Sequence, residues 1–452
     1  MLPNAYFCPK IGPMKSWINL VLFIALVLFV TNLKAQIEIS AEYRPRLEIN
    51  NGFGNLPTIG TDPSIYISQR ARLNFDFQKE RSRLFFSIQD VRFWGDDNIA
   101  SPTGAFMNSN SLGLFQVWAE FAVGSRHRIK VGRQEFRYDD QRLLSIRNWV
   151  QHGITYDALL YGYRAKGWEL DMALSYNSDS ERGAAGFGNN HFNVDPIARR
   201  IRTLNFVYLK KQFSPSFYIS ATGILSGYQL NKTSNTLYMM TTYGMYGSFK
   251  GKLLEMQGNV FRQGGMSQKG KNMDAFLYTF DAGLKLGKLR PGFGIDIVSG
   301  NDATNQNPEY VKKEHAFDLL YGIRYARYGF MNQYVMQSST LGGGWVDVYP
   351  QLHLQLTKKN RLTADYHLFF LQQTVNDPTR PGQFLSGSLG SELDLVWHHQ
   401  FNSEIATMLG FSYYYTNDTF ARVKNIEPSQ LKQPYFIYYM LTFKPVLFKS
   451  SR

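Results

Sequence analysis

The chain has almost no cysteine, no long apolar run beyond its first 35 residues and no internal repeat. Its only thiol, Cys8, lies in an amino-terminal leader, so the rest of the chain can form no disulfide, carry no lipidated Cys and bind no metal through thiolates. With no run of about 20 apolar residues after the leader, no helix is expected to cross a bilayer. The missing repeat argues against a β-propeller, which would also give many evenly spaced strands. Neither a Gly-x-Ser-x-Gly elbow nor a paired His–Glu metal motif occurs, and the eight histidines are scattered. No catalytic residue, metal ligand or cofactor is therefore expected.

What is present begins with Lys10 and Lys15, the apolar stretch Trp17 to Val30, and Thr-Asn-Leu-Lys-Ala-Gln. A basic start, an apolar core of about 14 residues and the small Ala35 read as a secretory signal over residues 1–35, cleaved before Gln36. Met14 followed by Lys15 makes a more compact signal, so Met14 is the expected true start. Removing the leader takes Lys10, Lys15 and Lys34 and no acid, which lowers the net charge from +14 to +11. A secreted chain this basic suggests an anionic partner. Nucleic acid conflicts with secretion.

Aromatic residues make up 15% of the chain, yet its mean hydropathy is negative. Alternation explains both. Ile37, Ile39, Ala41, Tyr43, Leu47 and Ile49 share one parity, and Glu38, Ser40, Glu42, Arg44, Arg46 and Glu48 the other. Between Arg128 and Leu144, Ile129 and Val131 alternate with Arg128 and Lys130 until Gly132 permits an irregular backbone and a charged loop follows. In the stretch from Leu84 to Phe93 the parity shifts, which predicts a β-bulge that turns Val91 and Phe93 to lipid and Asp90 and Arg92 inward. Segments of this kind recur with short turns alternating with longer loops. The expected fold is all-β: a transmembrane antiparallel β-barrel of about 18 strands over residues 36–452, in the outer membrane of a Gram-negative bacterium. Closure satisfies every backbone amide in lipid, which an open sheet could not do.

Ser87-Ile88-Gln89-Asp90-Val91-Arg92-Phe93-Trp94-Gly95 and Val131-Gly132-Arg133-Gln134-Glu135, continuing through Tyr138, Asp139, Arg142, Leu143, Trp149 and Tyr156-Asp157, resemble signatures of the alginate-export family of outer-membrane proteins. Ser299-Gly300-Asn301-Asp302, His315-Ala316-Phe317 and Tyr321-Gly322 are similar to the matching stretch of Bacteroidetes-type members. The resemblance implies a monomeric barrel whose Arg- and Lys-lined lumen conducts an anionic, uronate-like polysaccharide. Two departures are Ser145, where the family often has Gly, and an end at Lys449-Ser450-Ser451-Arg452, which leaves the barrel-assembly machinery Phe443 or Phe448 to recognise.

The expected lumen residues are Arg44, Arg46, Arg70, Arg72, Arg92, Arg128, Lys130, Arg133, Glu135 and Arg142. A guanidinium pairs two hydrogen bonds with each carboxylate of a passing polymer, and interspersed acids keep any single site from holding too tightly. These charges could instead pair across the wall and only support the fold. Asp157 and Trp149 are expected to be structural. Tyr413, Tyr414, Tyr415, Tyr438 and Tyr439 suit interfacial girdles among the outer-membrane lipids. The long segment 301–342 is the expected gate. A general anion-preferring porin or an acidic-oligosaccharide uptake channel would share this pattern. A barrel hydrolase is the remote alternative, because His353 and His367 are expected to face inward on neighbouring strands.

Overall fold

In the computed structural model the described residues are 35–54, 56–95, 112–177, 200–229, 236–325 and 327–450. The signal segment before Ala35 and its expected start at Met14 lie outside them. Period-two alternation runs through β1 (Gln36–Asn51), β2 (Ser64–Lys79), β3 (Ser82–Phe93), β4 (Leu112–Val123), β5 (His127–Gln134) and β6 (Tyr156–Ala165). Next come β7 (Trp168–Leu174), β8 (Arg200–Ser214), β9 (Phe217–Gln229), β10 (Leu237–Lys250), β11 (Leu254–Gly265) and β12 (Ala275–Leu284). The wall is completed by β13 (Leu289–Val298), β14 (Trp345–Gln355), β15 (Asn360–Leu371), β16 (Ser388–Gln400), β17 (Ile405–Tyr415) and β18. Strand β18 comprises Tyr435–Phe443 and Val446–Lys449, broken where Pro445 has no N–H to donate.

Each strand pairs antiparallel with its sequence neighbours, and β18 closes the ring on β1 with Ile437 opposite Ile49 and Phe448 opposite Ile39. The described strands thus form a closed 18-stranded antiparallel barrel. The first and last described strands begin and end at the side of the short turns, which the outer-membrane arrangement makes periplasmic, and the long loops lie at the other end. Along β1, Glu42, Arg44, Arg46 and Glu48 are buried inside while Tyr43 and Leu47 are exposed outside.

The bulge expected in β3 is absent, and one occurs on β4 instead. β2 and β3 pair without a break, and the register slips between β3 and β4, where Phe115 is the extra residue between Leu114 and Gln116. Arg70 therefore lies opposite Val91, and Asp90 and Arg92 lie opposite Ala71 and Gln69 on the outer face. The expected inward turn of Asp90 and Arg92 is corrected by this register. Gly132, at a φ of +121°, stays within β5, which runs on to Gln134.

Two connections from the long-loop end fold back into the barrel. The β5–β6 connection, residues 135–155, brings Phe136, Leu143, Leu144 and Trp149 inside. The β13–β14 connection, residues 299–344, brings Phe317, Leu319, Leu320, Tyr328, Met331 and Tyr334. They pack on inward apolar side chains of the wall, among them Phe206, Ile224, Phe261, Leu277, Trp345 and Phe369, and with these form an apolar core inside the barrel. The second carries a short helix, α1 (Pro308–Val311), started by the Asn307 side chain accepting from the Glu309 amide. The last outer connection carries α2 (Asp418–Val423), capped in the same way by Asn417.

Candidate functional site: the junction of the two inward loops

A loop that leaves a sheet carries carbonyls and amides with no ladder partners, and inside a barrel something must satisfy them. For residues 135–155 the wall supplies arginines. Arg44 donates from Nη1 to the Asn148 carbonyl at 2.6 Å, from Nη2 to the carbonyls of Trp149 and Val150 at 3.3 Å each, and from Nε to Gln151 Oε1 at 3.1 Å. Arg46 donates to the Trp149 carbonyl at 2.8 Å and lies 4.0 Å above the Trp149 ring. Arg70 reaches Asn148 Oδ1 at 2.9 Å while paired with Glu42.

Residues 299–344 are held by the opposite chemistry. Glu392 Oε1 accepts from the Met331 amide at 2.6 Å, and Asp394 Oδ2 from the Phe330 amide at 3.1 Å. Tyr414 bonds Tyr334, and Tyr325 donates to Tyr438 at 3.0 Å. Tyr414 and Tyr438 are thus loop anchors inside the barrel, which corrects their girdle assignment. Tyr415 and Tyr439 are exposed on the outer face.

Where the loops meet they pair like strands. Leu144 and Tyr321 form a parallel bridge, the Tyr321 amide donates to Leu143 O at 3.1 Å, and Ile323 donates to Gln141 O at 2.9 Å. Ser145 spends its hydroxyl on the Tyr321 carbonyl at 2.7 Å, a bond that Gly could not make. Trp149 and Tyr325 stack with centroids 3.7 Å apart and planes 4° from parallel.

Two cations converge at this junction. Arg147 from one loop and Arg324 from the other both donate to the Leu320 carbonyl, at 3.2 and 3.3 Å. Arg147 also reaches Gly322 O at 3.2 Å. Arg324 Nε is buried with no partner among the described residues. Burial, with Arg147 alongside, holds the Arg324 guanidinium down to about 10, and burial lowers Arg147 as well. Burial also raises Asp318, which neighbours both. Arg147 and Leu320 have φ of +41° and +49°, a left-handed conformation that costs non-glycine residues about 1–3 kcal/mol each. Two guanidiniums from separate loops on one carbonyl, with a spare N–H beside them, set this point apart. It can accept a carboxylate.

The expected site residues divide. Arg44, Arg46 and Arg70 face inward but are buried against the first loop, and Arg142, itself on that loop, is buried against Asp296 of the wall. Arg142 forks onto Asp296 at 2.6 and 3.0 Å and reaches Asp140 at 3.0 Å. Burial opposes its charge, yet Asp296, Tyr328 and Asp140 hold it well above the ordinary arginine value. Arg72, Arg128 and Lys130 are inward and partly open. Arg72 lies 3.6 Å over Phe115, Arg128 pairs with Asp171 at 3.2 Å, and Lys130 sits 3.8 Å over Trp118. Glu135 opens the first inward loop, where burial raises its carboxyl against the pull of Arg72 and Arg70.

Arg92 and Arg133 are corrections. Arg92 lies on the outer face with Asp90 at 2.9 Å, and Arg133 lies opposite Val117 and pairs with Asp157 at 2.9 and 2.8 Å, also outside. A carboxylate on the same outer face lets each cation stand there. Arg147 and Arg324 were missed because they lie in loops, where parity carries no information.

The family model for alginate export matches residues 35–426. No curated protein matches the chain. Among solved structures, Pseudomonas aeruginosa OccK10 (OpdN) superposes with a TM-score of 0.57 at 9% identity, over 91% of this chain and 99% of that one. Pseudomonas aeruginosa OpdL gives 0.55 at 13% identity, over 92% and 99%. OccK3 (OpdO) of the same organism gives 0.55 at 12%, over 92% and 96%. At these identities the structures share the fold. The match across nearly the whole barrel shows that this chain belongs to the alginate export family.

Proposed function

We propose that this outer-membrane channel conducts an anionic, uronate-like poly- or oligosaccharide, and that Arg147 and Arg324 meet its carboxylates at the loop junction. The observation that carries this reading is the pair of guanidiniums from separate loops on one carbonyl, with Arg324 Nε left over. A carboxylate displacing the Leu320 carbonyl would gain two charge-assisted partners, each stronger than a neutral hydrogen bond. The strain at Arg147 and Leu320 keeps that displacement small in cost. Arg72, Arg128 and Lys130 supply cationic approach along the wall, and their aromatic and acidic neighbours keep a passing chain from stopping. Conduction requires the loop over residues 301–342 to shift, which makes it the gate. The channel is read as a non-enzymatic monomer inserted by the barrel-assembly machinery, with residues 1–35 removed.

A second reading has its own observation. Four of the ten residues expected to line the lumen, Arg44, Arg46, Arg70 and Arg142, are buried against loops, which leaves fewer cations for a polymer and favours an anion-preferring porin or an uptake channel for short acidic oligosaccharides. Planar-bilayer currents under a salt gradient, with uronate oligomers added, separate the two. The polymer reading expects anion-selective reversal and oligomer block that weakens about tenfold in R147Q or R324Q. Selective current without block returns the protein to a general porin.

A further inference from the structure

Inward arginines in the periplasmic half of the barrel are nearly all satisfied by acids. Arg83 pairs with Asp76 at 2.6 Å, Arg164 with Asp171 at 2.8 Å, and Arg290 with Glu255 at 3.0 Å. Arg361 differs. It stands at the foot of β15 on the inward parity shared with Thr363 and Asp365, opposite Gln355 on one side and His398 on the other. It is exposed, and no ion pair or hydrogen bond of its guanidinium occurs among the described residues.

Beside it the wall is hollowed into a recess of 280 Å³ at the short-turn end of β14 to β18. Arg361, His398 and Gln355 form one side, and Met408, Met440 and Thr442 the other. Gln355 donates its amide to the carbonyls of Thr357 and Asn360, which leaves its own oxygen turned to acceptance. The lining therefore offers the free guanidinium of Arg361 beside the Lys359 ammonium, which donates to the Phe401 carbonyl at 2.8 Å, together with an imidazole, an amide oxygen, a hydroxyl and two thioether side chains. A hexuronate presents the matching groups: one carboxylate, several hydroxyls that donate and accept, and a C–H face that packs on apolar, polarizable surface. A neutral sugar would leave Arg361 unanswered, and an inorganic anion would leave the methionines unused.

We infer that this recess is a periplasmic-side subsite for a single uronate unit, in which Arg361 holds the carboxylate before the chain reaches the junction of the inward loops. The inference rests on the anionic-saccharide reading above, and it separates from it by side. The recess lies at the end of the short turns, whereas Arg147 and Arg324 lie on loops that enter from the other end.

The test is single-channel recording of the full barrel in a planar bilayer, with a mannuronate trimer added to each face in turn and maltotriose as the neutral control. In R361Q, block from the short-turn face should weaken about tenfold, with block from the opposite face and the conductance in salt unchanged. R361K, which keeps the charge and loses the fork, should fall between the two. Migration of unheated R361Q as a folded barrel on gels establishes that the wall has formed. If the wild-type channel is blocked from the short-turn face and R361Q is blocked equally, the subsite is overturned and the channel's function stands. If the trimer blocks the wild-type channel from neither face, the saccharide reading falls and the subsite falls with it.

Discussion

The two inward loops occupy the same barrel and are held by opposite chemistry. Residues 135–155 present carbonyls to arginines of β1 and β2, and residues 299–344 present amides to carboxylates of β16. Each wall therefore meets the pole of the peptide group that its own charge can satisfy. The difference teaches why a barrel this rich in inward arginine is not simply a cationic tube: much of the charge is used to fix backbone that has left the sheet. Where the loops touch each other, neither clamp operates, and there two guanidiniums from separate loops meet on the Leu320 carbonyl.

The comparison breaks most severely if the larger loop alone obstructs passage. Deleting residues 318–334 removes Arg324 and the amides held by Glu392 and Asp394 but leaves the arginine-held loop in place. Bilayer conductance should then rise several-fold, because ions no longer cross the apolar core. An unchanged conductance would mean that the smaller loop closes the channel by itself and that the gate assignment is wrong.

A smaller break targets Arg142, which ties the first loop to the wall. Arg142 leaves the first loop and forks onto Asp296 of β13, with both groups almost fully buried. Arg142→Met strands Asp140 and Asp296 and should lower stability in detergent by about 3–5 kcal/mol, since a buried charge loses its counter-ion. Adding Asp296→Asn should return part of that loss in denaturant titrations. A single variant indistinguishable from wild type would show that the fork adds nothing.

Matched single clamps sharpen the comparison further. Arg44→Met and Glu392→Met each leave backbone groups of one loop unpartnered, at about 1–3 kcal/mol. Hydrogen exchange should accelerate most in the loop that lost its clamp and to a lesser degree in the other, because the Leu144–Tyr321 bridge and the Ser145 bond join them. Acceleration confined to one loop would make the junction a mere contact.

The barrel was legible because lipid forces one parity to be apolar along every strand. Eighteen strands and the short-turn end follow from that alone, whereas an inward fold of residues 301–342 was one option suggested by the length of the segment. Arg92 and Arg133 misled because each has its own carboxylate on the outer face, Asp90 and Asp157, so polarity no longer reports direction. The change of pattern in β3 is no bulge: the strand runs on in one register and puts Val91 on the inner side opposite Arg70, while the extra residue, Phe115, belongs to β4. Tyr414 and Tyr438 look like their girdle neighbours in sequence, and only the loops packed behind them reveal an inward role. The junction itself was hidden, because Arg147 and Arg324 are 177 positions apart and meet only when both loops have turned inside.

The last effect concerns the outer cover of the amide-held loop, and it is a matter of pH. Lys424, which ends α2, donates to the carbonyls of Gln333 and Ser339 at 2.8 and 3.0 Å beneath Tyr334 and Phe420. Burial pulls its amine down to about 7, where the neutral form still has two N–H groups for two acceptors. In a released loop the same lysine titrates near about 10.4. Between those values the free loop binds a proton that the docked loop lacks, so docking strengthens as pH rises through the window and weakens as pH falls toward neutrality. Lys424→Met keeps the packing under the two rings and removes the titration. Thermal unfolding of the wild-type protein should therefore gain on that of the variant from neutral to alkaline pH. Parallel pH profiles would show that Lys424 stays charged where it sits, its two carbonyls and two rings together outweighing burial.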